Sequence, residues 1–239
     1  MASVMIPARI GSTRFPRKVL APIGGLPMIL HVVNKCLKSK ADNVYVVTDS
    51  EEVKSAVKDS GVEVIMTGEA ATGTDRVAAA AEKVEDEIII NVQGDEPFIL
   101  PSLIDELIDT IKNEPTLKMA TPCTLFEDGE DLTDPAKVKV VSDLKGYALY
   151  FSRSTIPFDR DGIGPKRYKH IGVYAFRRDL LLKYPTLPRT PLEQAENLEQ
   201  LRVLEHGERI KLITTDYKPL SVDTKEDLEA AEAFFSAKV

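Results

Sequence analysis

The sequence predicts an α/β fold, a mostly parallel sheet with helices on both faces and a smaller β-rich lobe. Short β-branched runs alternate with longer helical patterns through the first half of the chain. Those runs are nearly continuous in apolar residues, as strands buried on both faces are. Beyond residue 123 the alternation gives way to strand-like pieces separated by polar turns. A chain of 239 residues is long enough for one large α/β domain. We therefore read residues 1–239 as a single domain, with the β-rich lobe at roughly 124–205.

Taken in order, strands are expected in SVMI (3–6), VYVVT (44–48), VEVIM (62–66), EIIINV (87–92) and KMATPC (118–123). The segment 27–38 opens with Pro27, a favoured first helical residue, and sets Ile29, Val32, Val33 and Cys36 at helical spacing. Further helices are expected over roughly 50–60, 74–83 and 101–112, with Asp49 or Ser50 capping the first and Pro101 opening the last. In the lobe, KVKVV (137–141), YALYFS (147–152) and KHIGVYAF (169–176) read as strands laid over the core. A helix over 191–206, a strand over 209–214 and a capped helix from VDTKEDLEAAEAFF complete the chain.

Composition removes several functions. With 43% hydrophobic and 29% charged residues, neither disorder nor a fibrous repeat is indicated. A net charge of -7 argues against a nucleic-acid partner, which needs a basic face, yet leaves room for a small anion held by a local cluster of cations. No segment is apolar for long enough to span a bilayer, and MASVMIPAR lacks the pattern of a secretion signal, so a cytoplasmic location and no membrane partner are expected. Cys36 and Cys123 lack metal-ligand spacing and read as buried, reduced thiols, so any metal should be a hard ion held by oxygen.

In an open parallel sheet ligands bind beyond the carboxyl ends of the strands. The loop after the first strand holds Arg9, Arg14, Arg17 and Lys18 together with Gly11, Ser12 and Thr13. Backbone N–H groups of such a loop can cradle a triphosphate while the cations neutralise the leaving pyrophosphate. The spacing fits neither GxGxxG nor a Walker loop, and a solvated basic turn is the plain alternative. In NVQGDEPFI, Asp95 follows a buried strand behind a turn glycine, placed to hold Mg²⁺ against phosphate, although Asp95 or Glu96 can equally cap the helix near Pro101. In SVDTKEDL, a capping box accounts for Thr224 and Asp227 and leaves Asp223 unexplained, free to be a second oxygen ligand.

Among the histidines, His31 sits in an apolar helical run and His206 at a helix end. His170 differs: on a strand it shares a face with Gly172 and Tyr174, a surface able to hydrogen-bond a polyhydroxylated ligand. Along 191–206, Glu196 and Glu199 stand at a spacing that permits one edge to line a pocket, although most of that charge reads as a solvated face.

The ordered segments IPARIGSTRFPRKVL, ATGTDRV, NVQGDEPFI, KVKVV, YALYFSRSTIP, HIGVYAF, PLEQAENLEQLRVLEHG and SVDTKEDLEAA closely resemble the 3-deoxy-manno-octulosonate cytidylyltransferases, or CMP-Kdo synthetases. The resemblance implies a Rossmann-like, nucleotide-diphospho-sugar transferase core, a homodimer built partly by the later lobe, and Mg²⁺ as cofactor. It implies that Lys18, Asp95 and Asp223 are catalytic, with both aspartates on the metal. Arg9, Gly11, Ser12, Arg14, Lys18 and Arg76 would bind CTP. Gln93, Arg153, His170, Tyr174, Glu199 and Gln200 would meet an acid sugar.

The implied reaction is attack of the sugar's anomeric hydroxyl on the α-phosphorus of CTP, releasing pyrophosphate, in the service of lipopolysaccharide synthesis. Two departures stand out. The family usually reads Pro-Gly-Lys-Pro where this chain reads Pro16-Arg17-Lys18-Val19, and the stretch between SRSTIP and His170 is short. Competing readings are an 8-amino analogue of the same sugar, a sialic acid, and a nucleotide-binding regulator that has lost catalysis. The last would be expected to lack Lys18, Asp95 or Asp223, and all three are present.

Overall fold

A computed structural model of the chain describes residues 1–11 and 15–237. Strand β1 (Ala2–Ala8) is the spine, flanked in parallel by β4 (Asn43–Thr48) and β6 (Ile88–Asn91), with β5 (Glu63–Met66) outside β4. Alternate residues of β1 feed opposite cores. Val4 and Ile6 join one and Met5 the other, as period-two side chains must.

Onto the Val4 face pack α1 (Met28–Cys36), α2 (Glu51–Val57) and α4 (Pro101–Asn113), through Val32, Val53, Ile104 and Leu107 among others. Onto the Met5 face pack α3 (Gly73–Ala81), α5 (Arg178–Lys183) and α7 (Gln200–Glu205), through Val77, Leu181 and Leu201. The helices begin where expected because their first turns are capped: Ser50 Oγ accepts from the Val53 N–H and Thr72 Oγ1 from the Asp75 N–H.

The second half adds to the sequence reading or departs from it at several points. First, β7 (Met119–Leu125) does not lie beside β6; β11 (Tyr174–Arg177) is inserted between them, antiparallel to both. Along its other edge β7 pairs in parallel with β12 (Ile210–Thr214). Second, the run 169–176 is two strands, β10 (Tyr168–His170) and β11, parted by Ile171, Gly172 and Val173. Third, the helix expected over 191–206 is two, α6 (Pro191–Glu196) and α7. Asn197 between them takes a left-handed φ of 50°. Asparagine tolerates that conformation, and the turn lets the Leu198 N–H bond the Glu193 carbonyl, closing α6.

The lobe strands β8 (Lys139–Ser142) and β9 (Ala148–Ser152) extend the same sheet through β10 rather than lying over the core. A small hairpin of β2 (Pro22–Ile23) and β3 (Leu26–Pro27) sits under the final helix α8 (Lys225–Ser236). Gly24 has φ 57°, and a Cβ there would lie 2.1 Å from a Phe235 ring carbon, so only glycine lets helix and hairpin touch. Glu232 accepts from the Gly24 N–H at 3.0 Å, tying the last helix to the first loop.

Candidate active site

The carboxyl ends of β1 and β6 open into a cleft of about 290 Å³ whose lining includes Arg9, Lys18, Gly73, Gln93, Asp95 and Asp223. Its floor is close-packed: Gly94 passes so near β1 that a Cβ would stand 3.0 Å from the Pro7 carbonyl oxygen. The basic loop closes on itself through the Arg17 N–H and the Ile10 carbonyl, at 2.9 Å, and delivers Lys18 at the start of a single 3₁₀ turn. Arg17 itself has a left-handed φ of 62°, the conformation glycine would take without strain. Its guanidinium pairs with Glu52 at the surface.

Lys18 stands between the two expected carboxylates. Its Nζ donates to Asp95 Oδ2 and, at 2.7 Å, to Asp223 Oδ1. Burial pulls the ammonium pKa down, but Asp95 and Asp223 outweigh it and the net shift is upward, so Lys18 is a fixed positive charge. Asp223 comes from far along the chain. Asp227 Oδ2 accepts from the backbone N–H groups of both Asp223 and Thr224, while Thr224 Oγ1 accepts from the Asp227 N–H. The capping box therefore explains how Asp223 is held and leaves its carboxylate for the cleft. Beside Asp95, the buried Glu96 accepts from the Tyr217 hydroxyl at 3.1 Å; burial, reinforced by Asp95, pushes its carboxyl up to about 8.

Two carboxylate oxygens that reach one ammonium also suit one hard cation, which gains further oxygens from a triphosphate. Among the described residues no cluster of three or more His, Cys, Asp or Glu side chains is disposed to bind metal. A divalent ion held by this pair alone would need phosphate or water to complete its shell, so Asp95 and Asp223 fit a metal that arrives with the nucleotide.

The remaining predicted residues divide. Arg9 is exposed and lines the cleft, as does Gln93, whose Nε2 donates to Asn91 Oδ1 at 3.1 Å. Arg76 also lines it, but its guanidinium is committed to Asp49 at 2.7 Å and to Thr67 Oγ1 at 2.7 Å. Gly11, in the same loop as Arg9, is exposed; Ser12 and Arg14 lie outside the described residues.

Gln93 and Glu199 are shared with an adjoining cavity of about 230 Å³ that Tyr174 and Gln200 also line. Beyond Asp95 and Asp223 a wider hollow of about 700 Å³ adds His170. Tyr174 donates its hydroxyl to Gln200 Oε1 at 3.3 Å, and Gln200 Nε2 is buried with no hydrogen-bond partner, an orphan donor at the cavity wall. Burial raises the Glu199 carboxyl against the lowering by Thr74 and Thr72.

Arg153 is the exception. It donates Nε to the Glu196 carbonyl, Nη1 to the Pro135 carbonyl and Nη2 to the Asn197 carbonyl, and it is absent from the walls of all three cavities. Glu196 likewise turns to Ser152 Oγ, at 2.6 Å, rather than to the cleft.

Sequence reasoning passed over Thr72 and Gly73, which line the cleft from the first turn of α3. The signal was present in the Thr-Gly-Thr-Asp string, a cap followed three residues on by an acid. Thr121, buried on β7, carried no such signal.

Comparison with known proteins identifies the family of the chain. A family model described as Cytidylyltransferase matches residues 3–210. A 3-deoxy-manno-octulosonate cytidylyltransferase of Solibacter usitatus (strain Ellin6076) is 47% identical, over 98% of this chain and 94% of its own. An 8-amino-3,8-dideoxy-manno-octulosonate cytidylyltransferase of Shewanella sp. (strain ANA-3) is 45% identical, over 96% of each chain. A solved CMP:2-keto-3-deoxy-manno-octonic acid synthetase complexed with CTP superposes with a TM-score of 0.96 at 41% identity, covering 100% of this chain and 99% of that one. The fold is that of a nucleotidyltransferase. The chain belongs to the 3-deoxy-manno-octulosonate cytidylyltransferase family.

Proposed function

We infer that this enzyme transfers the cytidylyl group of CTP to an eight-carbon 3-deoxy acid sugar of the manno-octulosonate type, with release of pyrophosphate. The observation that carries the reading is the continuity of the cleft. Asp95 and Asp223, both bound by Lys18, are shared by the cleft and the hollow that His170 lines, and Gln93 and Glu199 by the cleft and the cavity that Tyr174 and Gln200 line.

In that reaction the anomeric hydroxyl oxygen bonds to the α-phosphorus, the bond from that phosphorus to the bridging oxygen breaks, and the hydroxyl proton passes to solvent. Lys18 and Arg9 offset the charge that gathers on the leaving pyrophosphate. Asp95 and Asp223 would hold Mg²⁺, which when bound supplies Lewis-acid neutralisation of phosphate oxygens. Gln93, Glu199, Gln200, Tyr174 and His170 fix the sugar so that its hydroxyl is aimed, which removes the need for a protein nucleophile.

A cytidylylated octulosonate would serve lipopolysaccharide assembly, made in the cytoplasm from soluble precursors. Among the described residues no helix is long and apolar enough to cross a membrane. A homodimer formed through the lobe is supported by exposed apolar side chains there, Leu149 at 62%, Phe158 at 86% and Ile163 at 81% exposure. Light scattering on the purified protein checks it.

The decisive experiment measures pyrophosphate release from CTP and Mg²⁺ with 3-deoxy-manno-octulosonate, its 8-amino analogue and N-acetylneuraminate in parallel. Release with one of the octulosonates supports the reading and selects the substrate. Release only with neuraminate reassigns the sugar, and silence with all three overturns the reading.

A further inference from the structure

The break between β10 and β11 is a tight turn pinned by one hydroxyl. His170 lies opposite Cys123 and Ala175 opposite Ala120, so this side spans two residues more than β7 does. The excess is absorbed at Gly172, where the Val173 N–H bonds the Ile171 carbonyl at 2.7 Å, an i to i+2 turn. Thr121, fully buried on β7, reaches all of it. Its Oγ1 is 2.8 Å from the Val173 carbonyl oxygen, 3.2 Å from that of Ile171 and 2.8 Å from His170 Nε2.

A hydroxyl has one hydrogen. If Thr121 gave it to the imidazole, its oxygen would face two carbonyl oxygens with no proton between them. It must therefore donate to a carbonyl, Val173 being the nearer, and accept from the ring. His170 then carries its hydrogen on Nε2, and Nδ1 keeps a lone pair. That nitrogen makes no hydrogen bond with the described residues, and the side chain lines the wide hollow beside Asp95.

We propose that Thr121 is a positioning residue for the sugar side of the site, holding the turn that carries His170 and Tyr174 and fixing His170 as the Nε2–H tautomer, with Nδ1 an acceptor for a substrate hydroxyl. This rests on the transferase reading above for the identity of the ligand, but the tautomer belongs to the protein alone. Neutrality of the ring agrees with its surroundings, since burial lowers its pKa to about 3.

The test begins with nitrogen NMR of the His170 ring in the ligand-free wild-type enzyme. Signals of the Nε2–H form are expected, and the Nδ1–H form or a charged ring overturns the proposal whatever sugar is used. Kinetics follow with Thr121→Val and Thr121→Ser. Losing the hydroxyl should raise KM for the sugar on the order of ten-fold, with KM for CTP little changed, while serine restores wild-type values. Equal effects on both substrates, or a valine variant with wild-type sugar KM, would overturn it. If the valine variant fails to fold, the wild-type spectrum and the serine variant still decide. Failure of the transferase reading would show instead as no turnover with any sugar and an unchanged wild-type spectrum.

Discussion

The backbone N–H of Val222 donates to the carbonyl oxygen of Asp95 at 3.1 Å. This one bond joins the loop after β6 to the segment before α8 and so sets Asp95 beside Asp223 with Lys18 between them. The two carboxylates come from parts of the chain that have no local reason to meet. A carboxylate pair assembled this way is only as precise as the contact that aligns its halves.

Removing either charge should therefore stop the reaction without unfolding the protein. Asp95→Asn and Asp223→Asn are each expected to lower kcat on the order of a hundred-fold or more, a typical cost for losing one electrostatic stabiliser. Pyrophosphate release gives the rate, and circular dichroism the fold. A variant with near-normal turnover would remove that aspartate from the metal.

Arg17 keeps a left-handed φ of 62° in the basic loop after β1, where relatives are expected to place glycine. Arg17→Gly should stabilise the protein by about 1 kcal/mol, the usual cost of that conformation for a residue with a Cβ. The ion pair to Glu52 is exposed on both sides and offsets little of the gain. Arg17→Ala, which loses the pair and keeps the strain, serves as control. Thermal melts that put glycine below alanine would contradict the strain argument.

Glu193 and Arg202 form a buried, two-pronged ion pair across the turn at Asn197, with contacts of 2.6 and 2.8 Å. Arg202 also lies over the Tyr184 ring, 4.4 Å from its centre. Glu193→Gln leaves a buried guanidinium short of its charge partner and should cost about 3–5 kcal/mol. Urea unfolding measures it; a loss below about 1 kcal/mol would show that the pair does not hold α6 to α7.

His170 supplies a pH dependence. Burial lowers its pKa from 6.5 to about 3, so between those values the unfolded chain binds a proton that the folded chain refuses. Its contribution to stability is whole above about pH 6.5 and is lost as pH falls toward 3. Unfolding free energies for wild type and His170→Gln, followed from pH 7 to pH 4, should converge toward the acid end. Parallel curves would mean the imidazole is not excluded from protonation.

The first half of the fold was legible because its signals are local. Pro27, Ser50 and Pro101 mark helix starts, and the β-branched runs of β1, β4 and β6 need no partner to be recognised. What stayed hidden depends on pairing across distance. Nothing in the string HIGVY tells that β11 enters between β6 and β7, because an apolar run reads alike against either neighbour. Asn197 ended a helix that the spacing of Glu193, Glu196 and Gln200 would continue, and only its left-handed backbone reveals why. That Lys18 and Asp95 would share one cleft was readable from charge beside glycine at strand ends. The place of Arg153, bound by three backbone carbonyls away from the cavity walls, was not, since the partners come from segments distant in sequence.

The insertion of β11 has a consequence for synthesis. Strands β1, β4, β5 and β6 leave the ribosome early and can assemble as a half-sheet, but the outer edge of β6 is covered only when Tyr174 arrives opposite Asn91. Until then a bare row of N–H and C=O groups is open to any passing strand. The growing chain thus passes through an interval, fixed by topology, in which chaperone capture and intermolecular pairing compete for the same edge.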